Sequence, residues 1–219
     1  MHSNTQASPK FRVGTIGAIA RPVSRRKLLG GALFGLASGL WCRENELFAS
    51  VEQRSHAALV DPRHEVLMMR HADAPGFSDP DSMRLDDCST QRNLGERGRQ
   101  QAAETGDWLR AQGMQRMHVW SSPWCRCKDT AQLLGFGEPL LKDFLGSFFR
   151  DRDKSDPYTQ ALTRALESWF ATNARQPLML VTHQVNIAAY SGKSVSSGEL
   201  LKIRVTSKGR PERVQTLRA

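Results

Sequence analysis

The fold of this chain follows from one stretch, Val66-Leu67-Met68-Met69-Arg70-His71-Ala72. In it, four apolar residues run without a polar break into an arginine and a histidine. A short unbroken apolar run is typical of a strand buried on both faces, as in a parallel sheet between helices, although a buried helical turn has the same pattern. Because ligands bind at the carboxyl ends of strands in open α/β sheets, Arg70 and His71 are candidate site residues.

Two later stretches repeat this arrangement. Residues 117–120 predict a second strand, which is followed by Ser121-Ser122-Pro123 and by Arg126 in the first turn of a helix predicted over residues 124–134. Residues 177–182 predict a third strand that ends in His183-Gln184, with a helix over residues 185–191. If the three strands are parallel neighbours, two histidines and two arginines meet in one crevice.

The remaining segments complete an α/β chain. Amphipathic spacing predicts helices from Gly95 to about Ala111 and over residues 157–174, and residues 199–205 predict a final edge strand. We expect a long loop over residues 73–93, an irregular segment over residues 135–156, and a solvated polar tail over residues 206–219. The predicted fold is a three-layer α/β/α sandwich with a mostly parallel central sheet, formed by residues 51–219.

Residues 1–50 have the pattern of an export signal. A polar start leads to Ser24-Arg25-Arg26-Lys27-Leu28-Leu29 and then to an apolar, glycine-containing stretch that ends at Trp41. Paired arginines before a modest apolar segment are typical of twin-arginine export, and the segment is shorter than the roughly 20 residues that span a bilayer. We therefore expect a periplasmic or secreted protein that meets the membrane only during export, with cleavage near Ala49.

The charge of the chain suits an anionic ligand but does not demonstrate one. The formal net charge is +9, and the first 50 residues hold seven basic against two acidic side chains, so the rest is mildly basic. No basic run is interleaved with aromatic residues, so nucleic acid is not an expected partner. The oligomeric state does not follow from the sequence.

The four cysteines do not predict a metal site. Cys42 lies in the export segment, and Cys125-x-Cys127 has no partner pair at zinc spacing. An oxidising compartment permits one disulfide, which would join Cys88 to Cys125 or to Cys127. We expect neither a metal nor a cofactor.

The residues at the strand ends fit phosphoryl transfer. Two guanidinium groups match the oxygens of a phosphoryl group, and the two helices that follow the strands would add N-terminal amides. One histidine can be a covalent nucleophile, and a second, charged histidine can stabilise the transferring group.

At this point the sequence resembles the histidine phosphatase superfamily, which is also called phosphoglycerate mutase-like. The resemblance rests on four motifs in the family order between residues 65 and 192: Arg70-His71-Ala72; Leu94-x-x-x-Gly98-x-x-Gln101-Ala102; Ser121-Ser122-Pro123-x-x-Arg126-x-x-x-Thr130-Ala131; and Val181-Thr182-His183. It implies that His71 becomes phosphohistidine and that Arg70, Arg126 and His183 form the phosphate pocket. We also place Gln184 among the phosphate-binding residues. Ser122 would lie near the pocket without a catalytic role.

The sequence departs from the family pattern at several positions. Ala72 replaces a common glycine, and Phe77 stands where many members have an asparagine for the phosphate. Gln184 occupies a position at which some members carry the acid that protonates the leaving group, and an amide cannot do so. The candidates for this acid are Asp73, Asp143, Asp151 and Asp153.

We therefore predict an exported phosphomonoesterase that acts on a small phosphorylated substrate. The missing acid keeps open an alternative, a non-catalytic protein that binds phosphate esters or phosphorylated glycans. A phosphomutase is disfavoured because few residues separate Arg126 from His183, which leaves little room for a cap that would exclude water.

Overall fold

A computed structural model describes residues 58–172 and 175–218 of the chain. The predicted export segment, residues 1–50, lies outside the described residues, as do Asn173 and Ala174 at the end of one predicted helix. None of the helices in the described ranges is both long and apolar enough to cross a bilayer.

The described residues form six strands and four α-helices. The strands are β1 (Glu65–Arg70), β2 (His118–Ser121), β3 (Leu140–Leu141), β4 (Leu178–Thr182), β5 (Leu200–Val205) and β6 (Pro211–Arg218). The helices are α1 (Glu96–Ala111), α2 (Cys125–Leu133), α3 (Ser155–Thr172) and α4 (Gln184–Ser191). Short 3₁₀ turns cover Cys88–Thr90, Asp143–Leu145 and Arg152–Lys154.

The strands form one sheet in the order β3-β2-β4-β1-β5-β6. The first four are parallel, and β5 and β6 continue the sheet in antiparallel pairing. Strand β4 lies between β1 and β2, with Arg70 paired to Thr182 and Ser121 paired to Val181. This topology confirms the mostly parallel sheet, and it brings the carboxyl ends of the three predicted strands to one edge.

Helices cover both faces of the sheet because alternate strand residues point to opposite sides. Val66 and Met68 of β1 pack in a core with the apolar stripes of α3 and α4, whereas Leu67 and Met69 pack in a second core with α1 and α2. All four side chains are fully buried. The unbroken apolar run that opened the sequence analysis is thus explained, and the three-layer prediction is confirmed.

The prediction for the C-terminal tail was wrong. Residues 211–218 form β6, which pairs antiparallel with β5 and takes its place as the edge strand. Only Val214 and Leu217 of β6 touch the cores, so its mixed, half-exposed residues resembled a solvated tail. Pro211 starts the strand, and the exposed charges of Glu212 and Arg213 disfavour further pairing at this edge.

Other boundaries shift by one or two residues. Helix α2 begins at Cys125 with Trp124 as its N-cap, so Pro123 precedes the helix rather than opening it. Helix α3 begins at Ser155, before Pro157. The segment predicted as irregular contains β3, a two-residue strand that extends the parallel part of the sheet beside β2.

Helix α1 approaches its neighbours closely at two glycines. A Cβ atom on Gly98 would overlap the main chain of Asp73, at 2.8 Å from its carbonyl carbon, and a Cβ on Gly106 would come equally near the main chain of Leu134. The small residues therefore set the distance from α1 to the segment after β1 and to the end of α2.

We expect Gly98→Ala to destabilise the protein by about 1–3 kcal/mol, because the added methyl group forces the helix away from the main chain of Asp73. At an exposed helical position the same change would stabilise the protein by about 0.5–1 kcal/mol. The sign of the change in the free energy of unfolding therefore distinguishes close packing from exposure. Urea unfolding measures the difference. Arg97→Ala, at the exposed neighbouring position, is the control and should be close to neutral; a neutral or stabilising Gly98→Ala would contradict the close packing.

Candidate active site

Both histidines lie at the edge of the sheet where β1 and β4 end. The amide of His71 donates to the carbonyl oxygen of Thr182 at 2.9 Å, so the strand pairing continues into the site. The two imidazole rings are 5.4 Å apart between centroids and meet edge to face. Their exposed fractions are only 2% for His71 and 4% for His183. Together with Arg70, Arg126 and Gln184, they line one cavity of about 830 Å³.

The main chain fixes the tautomer of His71. Its Nδ1 is 2.8 Å from the carbonyl oxygen of Ala72, which can only accept, so Nδ1 carries the proton. The Nε2 of a neutral ring then holds a free lone pair. Burial, and next the charge of Arg126, lower the pKa of His71 to about 3, so the ring is neutral at physiological pH. His71 is therefore prepared as a nucleophile.

His183 has the opposite tautomer. Its Nε2 is 2.8 Å from the hydroxyl oxygen of Ser122, which also accepts from the amide of Trp124 at 3.3 Å. Its Nδ1 is 3.4 Å from a terminal nitrogen of Arg126, which can only donate. Both contacts fit a proton on Nε2. Ser122, whose position the motif placed near the pocket, thus orients the second histidine.

The free site holds His183 neutral. Burial, and then Arg126 and His71, lower the pKa of His183 well below that of a free imidazole. This neutral state differs from the charged second histidine that the sequence predicts. An anionic ligand would be needed for that charge, because only a nearby negative group offsets the burial and the surrounding arginines.

Three arginines, rather than the two predicted, surround the histidines. Arg92, at the end of the long loop, lines the same cavity. Burial lowers the pKa of both Arg70 and Arg92, and the charge of Arg126 lowers each further. Among the described residues, the buried Nε groups of Arg70, Arg92 and Arg126 have no hydrogen-bond partner. Unpaired buried donors are costly, so this arrangement favours an oxyanion.

A carboxylate that the sequence analysis did not single out faces these arginines. Asp79 makes an ion pair with Arg126 at 2.8 Å, with exposed side-chain fractions of 15% and 4%, and accepts from the amide of Arg92 at 3.0 Å. Asp79 therefore fixes one terminal nitrogen of Arg126 and the end of the loop. The loop has no periodicity, so no pattern distinguished Asp79 or Arg92 from surface charges.

The candidates for the leaving-group acid are not at the cavity. None of Asp73, Asp143, Asp151 and Asp153 lines it; its only carboxylates among the described residues are Asp79 and Asp81. Asp81 is fully exposed and pairs with Arg150 at 2.9 Å. The four candidates were chosen by their place along the chain, and none of them contributes to the cavity lining; the charge of Asp73 still acts on Arg70 and Arg92.

The side chain of Gln184 is also turned away from the phosphate end. Its amide nitrogen donates to Ser194 at 2.6 Å, and its amide oxygen accepts from the amide of Val195 at 2.9 Å. The main-chain N–H of Gln184, in the first turn of α4, is what this residue can offer an anion.

A disulfide closes the long loop against α2. Cys88 is joined to Cys125, which is one of the two pairings that the sequence left open. Cys127 is free and buried, with its sulfur 3.4 Å from Nε2 of His183. Burial raises the pKa of Cys127 to about 12, so the thiol stays protonated and is not a nucleophile. The described residues contain no group of three or more side chains suited to a metal ion.

Comparison with known proteins agrees with this geometry. Residues 66–143 match the model of the histidine phosphatase superfamily (branch 1), whereas no curated protein matches the chain. A phosphoserine phosphatase from Entamoeba histolytica, in complex with 3-phosphoglyceric acid, is 14% identical with a TM-score of 0.51; the match covers 71% of this chain and 96% of that one. A mycobacterial glucosyl-3-phosphoglycerate phosphatase in complex with VO3 is 18% identical with a TM-score of 0.50, over 71% and 99% of the two chains. These matches confirm the family resemblance and the fold class.

The two neutral histidines predict a loss of stability in acid. The unfolded chain binds protons on both rings below a pH of about 6.5, whereas the folded chain does not until far lower pH. Each ring should therefore lower the free energy of unfolding by about 1 kcal/mol between pH 6.5 and 5.5. Replacing His71 by Gln should flatten this dependence by that amount in urea unfolding at pH 7.5, 6.5 and 5.5, because the carboxylates are unchanged.

The exposed His64 supplies the control for that experiment. His64→Gln should leave the dependence of the wild type in place, since its side chain is outside the site. Equal pH dependence in the wild type and His71→Gln would mean that His71 is not held neutral by burial.

Proposed function

We propose that this chain, which has the histidine phosphatase fold and matches that superfamily over residues 66–143, is an exported phosphomonoesterase that works through a phosphohistidine on His71. One observation carries the proposal. Two buried imidazoles 5.4 Å apart and three guanidinium groups line one cavity that is large enough for an ester. This set of groups can bind a phosphoryl group and attack it.

The first step forms a nitrogen–phosphorus bond. The lone pair on Nε2 of His71 attacks phosphorus in line, the bond from phosphorus to the ester oxygen breaks, and that oxygen leaves with the electron pair. Because the carbonyl oxygen of Ala72 accepts from Nδ1, it supports the positive charge that develops on the ring. Arg70, Arg92 and Arg126 neutralise the phosphoryl oxygens, which is the main requirement of a loose transition state.

The second step regenerates the free enzyme. Water attacks the phosphohistidine, the nitrogen–phosphorus bond breaks, Nε2 regains its lone pair, and the water proton passes to solvent or to a phosphate oxygen. His183 contributes through charge. The bound phosphoryl group raises the pKa of His183, so Nδ1 takes a proton from solvent in place of its contact with Arg126, and the positive ring stabilises the phosphoryl oxygens.

Loss of His71 should abolish turnover. With 4-nitrophenyl phosphate as substrate, we expect no hydrolysis above background by His71→Ala, and a loss of about 10²-fold or more by His183→Ala. Wild-type enzyme quenched in alkaline detergent should carry a phosphate that is stable in alkali and lost in acid, and this phosphate should be missing from His71→Ala. His64→Ala is the matched control and should retain wild-type rates.

The same variants address a second candidate, a protein that binds phosphate esters without turnover. The lack of a free carboxyl acid at the cavity favours it, because Asp79 and Asp81 are both in ion pairs. Inorganic phosphate would then bind to the wild type in calorimetry while no product forms. Equal hydrolysis by the wild type and His71→Ala would refute the phosphohistidine route.

The proposed location is the periplasm or the exterior of the cell. The paired arginines at Arg25 and Arg26 before an apolar stretch are the sequence support. The Cys88–Cys125 disulfide is an independent support, since such bonds persist in oxidising compartments.

Replacement of both Arg25 and Arg26 by lysine should keep the protein inside the cytoplasm, because the pair is what that export route reads. Cell fractionation and immunoblotting measure it. A paired change of Lys10 and Arg12 to Gln, which removes two charges outside the motif, should not alter export. Cytoplasmic wild-type protein would contradict the proposal.

A further inference from the structure

We infer that the cavity is built for phosphomonoesters of an aromatic alcohol or phenol, with the ring of the leaving group packed against the Phe77–Phe149 pair at the cavity mouth. The inference rests on the proposed function and names its substrate class. It concerns the end of the cavity away from the histidines.

The two phenylalanines form an exposed aromatic surface. Phe77 is 85% exposed and Phe149 is 42% exposed, although both have large apolar side chains. Their rings contact each other edge to face, with centroids 5.6 Å apart. Isolated exposed apolar residues need no explanation, but a pair in contact at the mouth of a site is the arrangement that a further ring can join.

The pair is held in place by Arg150. Phe77 belongs to the long loop after β1, and Phe149 belongs to the segment before α3. Arg150 joins the two segments: it donates to the hydroxyl of Ser78 at 3.2 Å and to the carbonyl oxygen of Asp79 at 2.7 Å, and pairs with Asp81 at 2.9 Å. The guanidinium of Arg152 lies 5.4 Å from the centroid of the Phe149 ring and orders it further. These contacts therefore hold the two phenylalanines of the cavity mouth in their positions.

The mouth and the phosphate end belong to one cavity. Its volume of about 830 Å³ is in the range of sites that bury a whole small molecule, and a phosphoryl group alone fills only a small part. The large apolar and aromatic side chains that line it are Phe77, Pro80, Met83, Trp124, Phe148 and Phe149, and the smaller apolar ones are Val185, Ala188 and Ala189. A leaving group that extends from the bound phosphoryl group toward the mouth therefore contacts these side chains.

The missing acid favours the same substrates. The carboxylates at the cavity are Asp79, paired with Arg126, and Asp81, which is exposed and paired with Arg150. Since the described residues place no free carboxyl group at the cavity to protonate the departing oxygen, esters whose oxygen leaves as a stable anion react best. Phenols are such leaving groups, because the ring delocalises the charge.

The experiment separates ring recognition from leaving-group acidity. It compares 2-phenylethyl phosphate with ethyl phosphate, whose alcohols have similar acidity, so that intrinsic reactivity cancels. We expect the wild type to prefer the phenylethyl ester by about tenfold in kcat/KM, and Phe77→Ala and Phe149→Ala each to reduce that ratio about fivefold. Leu85→Ala, an exposed apolar residue of the same loop that does not line the cavity, should leave the ratio unchanged.

A second measurement needs no variant. 3-Phenylpropylphosphonate and propylphosphonate, the carbon isosteres of these two esters, are not hydrolysed, and as competitive inhibitors of the wild type they should differ about tenfold in favour of the phenyl compound. Equal inhibition, or a substrate ratio that survives both phenylalanine variants, would overturn the inference. Failure to hydrolyse either ester and 4-nitrophenyl phosphate would instead overturn the proposed function, so the two failures are distinct.

Discussion

The site depends on the parallel pairing of β4 with β1 on one side and β2 on the other. The pairing is carried past the end of β1 by the hydrogen bond from the amide of His71 to the carbonyl oxygen of Thr182, and past the end of β2 by that from the amide of Ser122 to Val181. These bonds place Ser122, His183 and His71 side by side along one sheet edge, in the order of the strands β2, β4 and β1. Helices on both faces bury the strands, so the edge is rigid and its side chains cannot move apart without breaking the cores.

Burial of that edge determines its electrostatics. Removing imidazole from water disfavours the charged form, and the nearby guanidinium groups act in the same direction, so both pKa values are lowered. The free site thus holds a surplus of positive charge on arginines and a neutral nucleophile. An anionic ester would compensate this positive charge, whereas a cation would be repelled by it. The same burial that costs stability in acid makes the lone pair of His71 available at neutral pH.

Sequence reasoning reached the parts of this arrangement that repeat a pattern. Apolar runs that end in Arg70-His71 and His183 predicted the strands, because a strand buried on both faces must be apolar throughout. They also predicted which site residues follow each strand. Arg92 and Asp79 were missed because they lie in a loop whose positions are set by contacts with Arg126, not by any period. Strand β6 was missed for a related reason: an edge strand needs few apolar residues, and its pairing with β5 is visible only in three dimensions. The acid candidates were misplaced because distance along the chain says little about which way a loop turns.

The ion pair between Asp79 and Arg126 raises the question of whether the carboxylate blocks the phosphate. Its geometry argues for orientation instead. Asp79 occupies one terminal nitrogen of the guanidinium, while the other terminal nitrogen faces His183 at 3.4 Å and the Nε donor has no partner among the described residues. A guanidinium presents its donors as a planar fork, so fixing one corner aims the remaining two. Asp79 also accepts from the amide of Arg92, so the same carboxylate positions two of the three arginines that face the phosphoryl group. A carboxylate committed in this way is not free to protonate a leaving oxygen, which is why the proposed reaction depends on the stability of the leaving group itself.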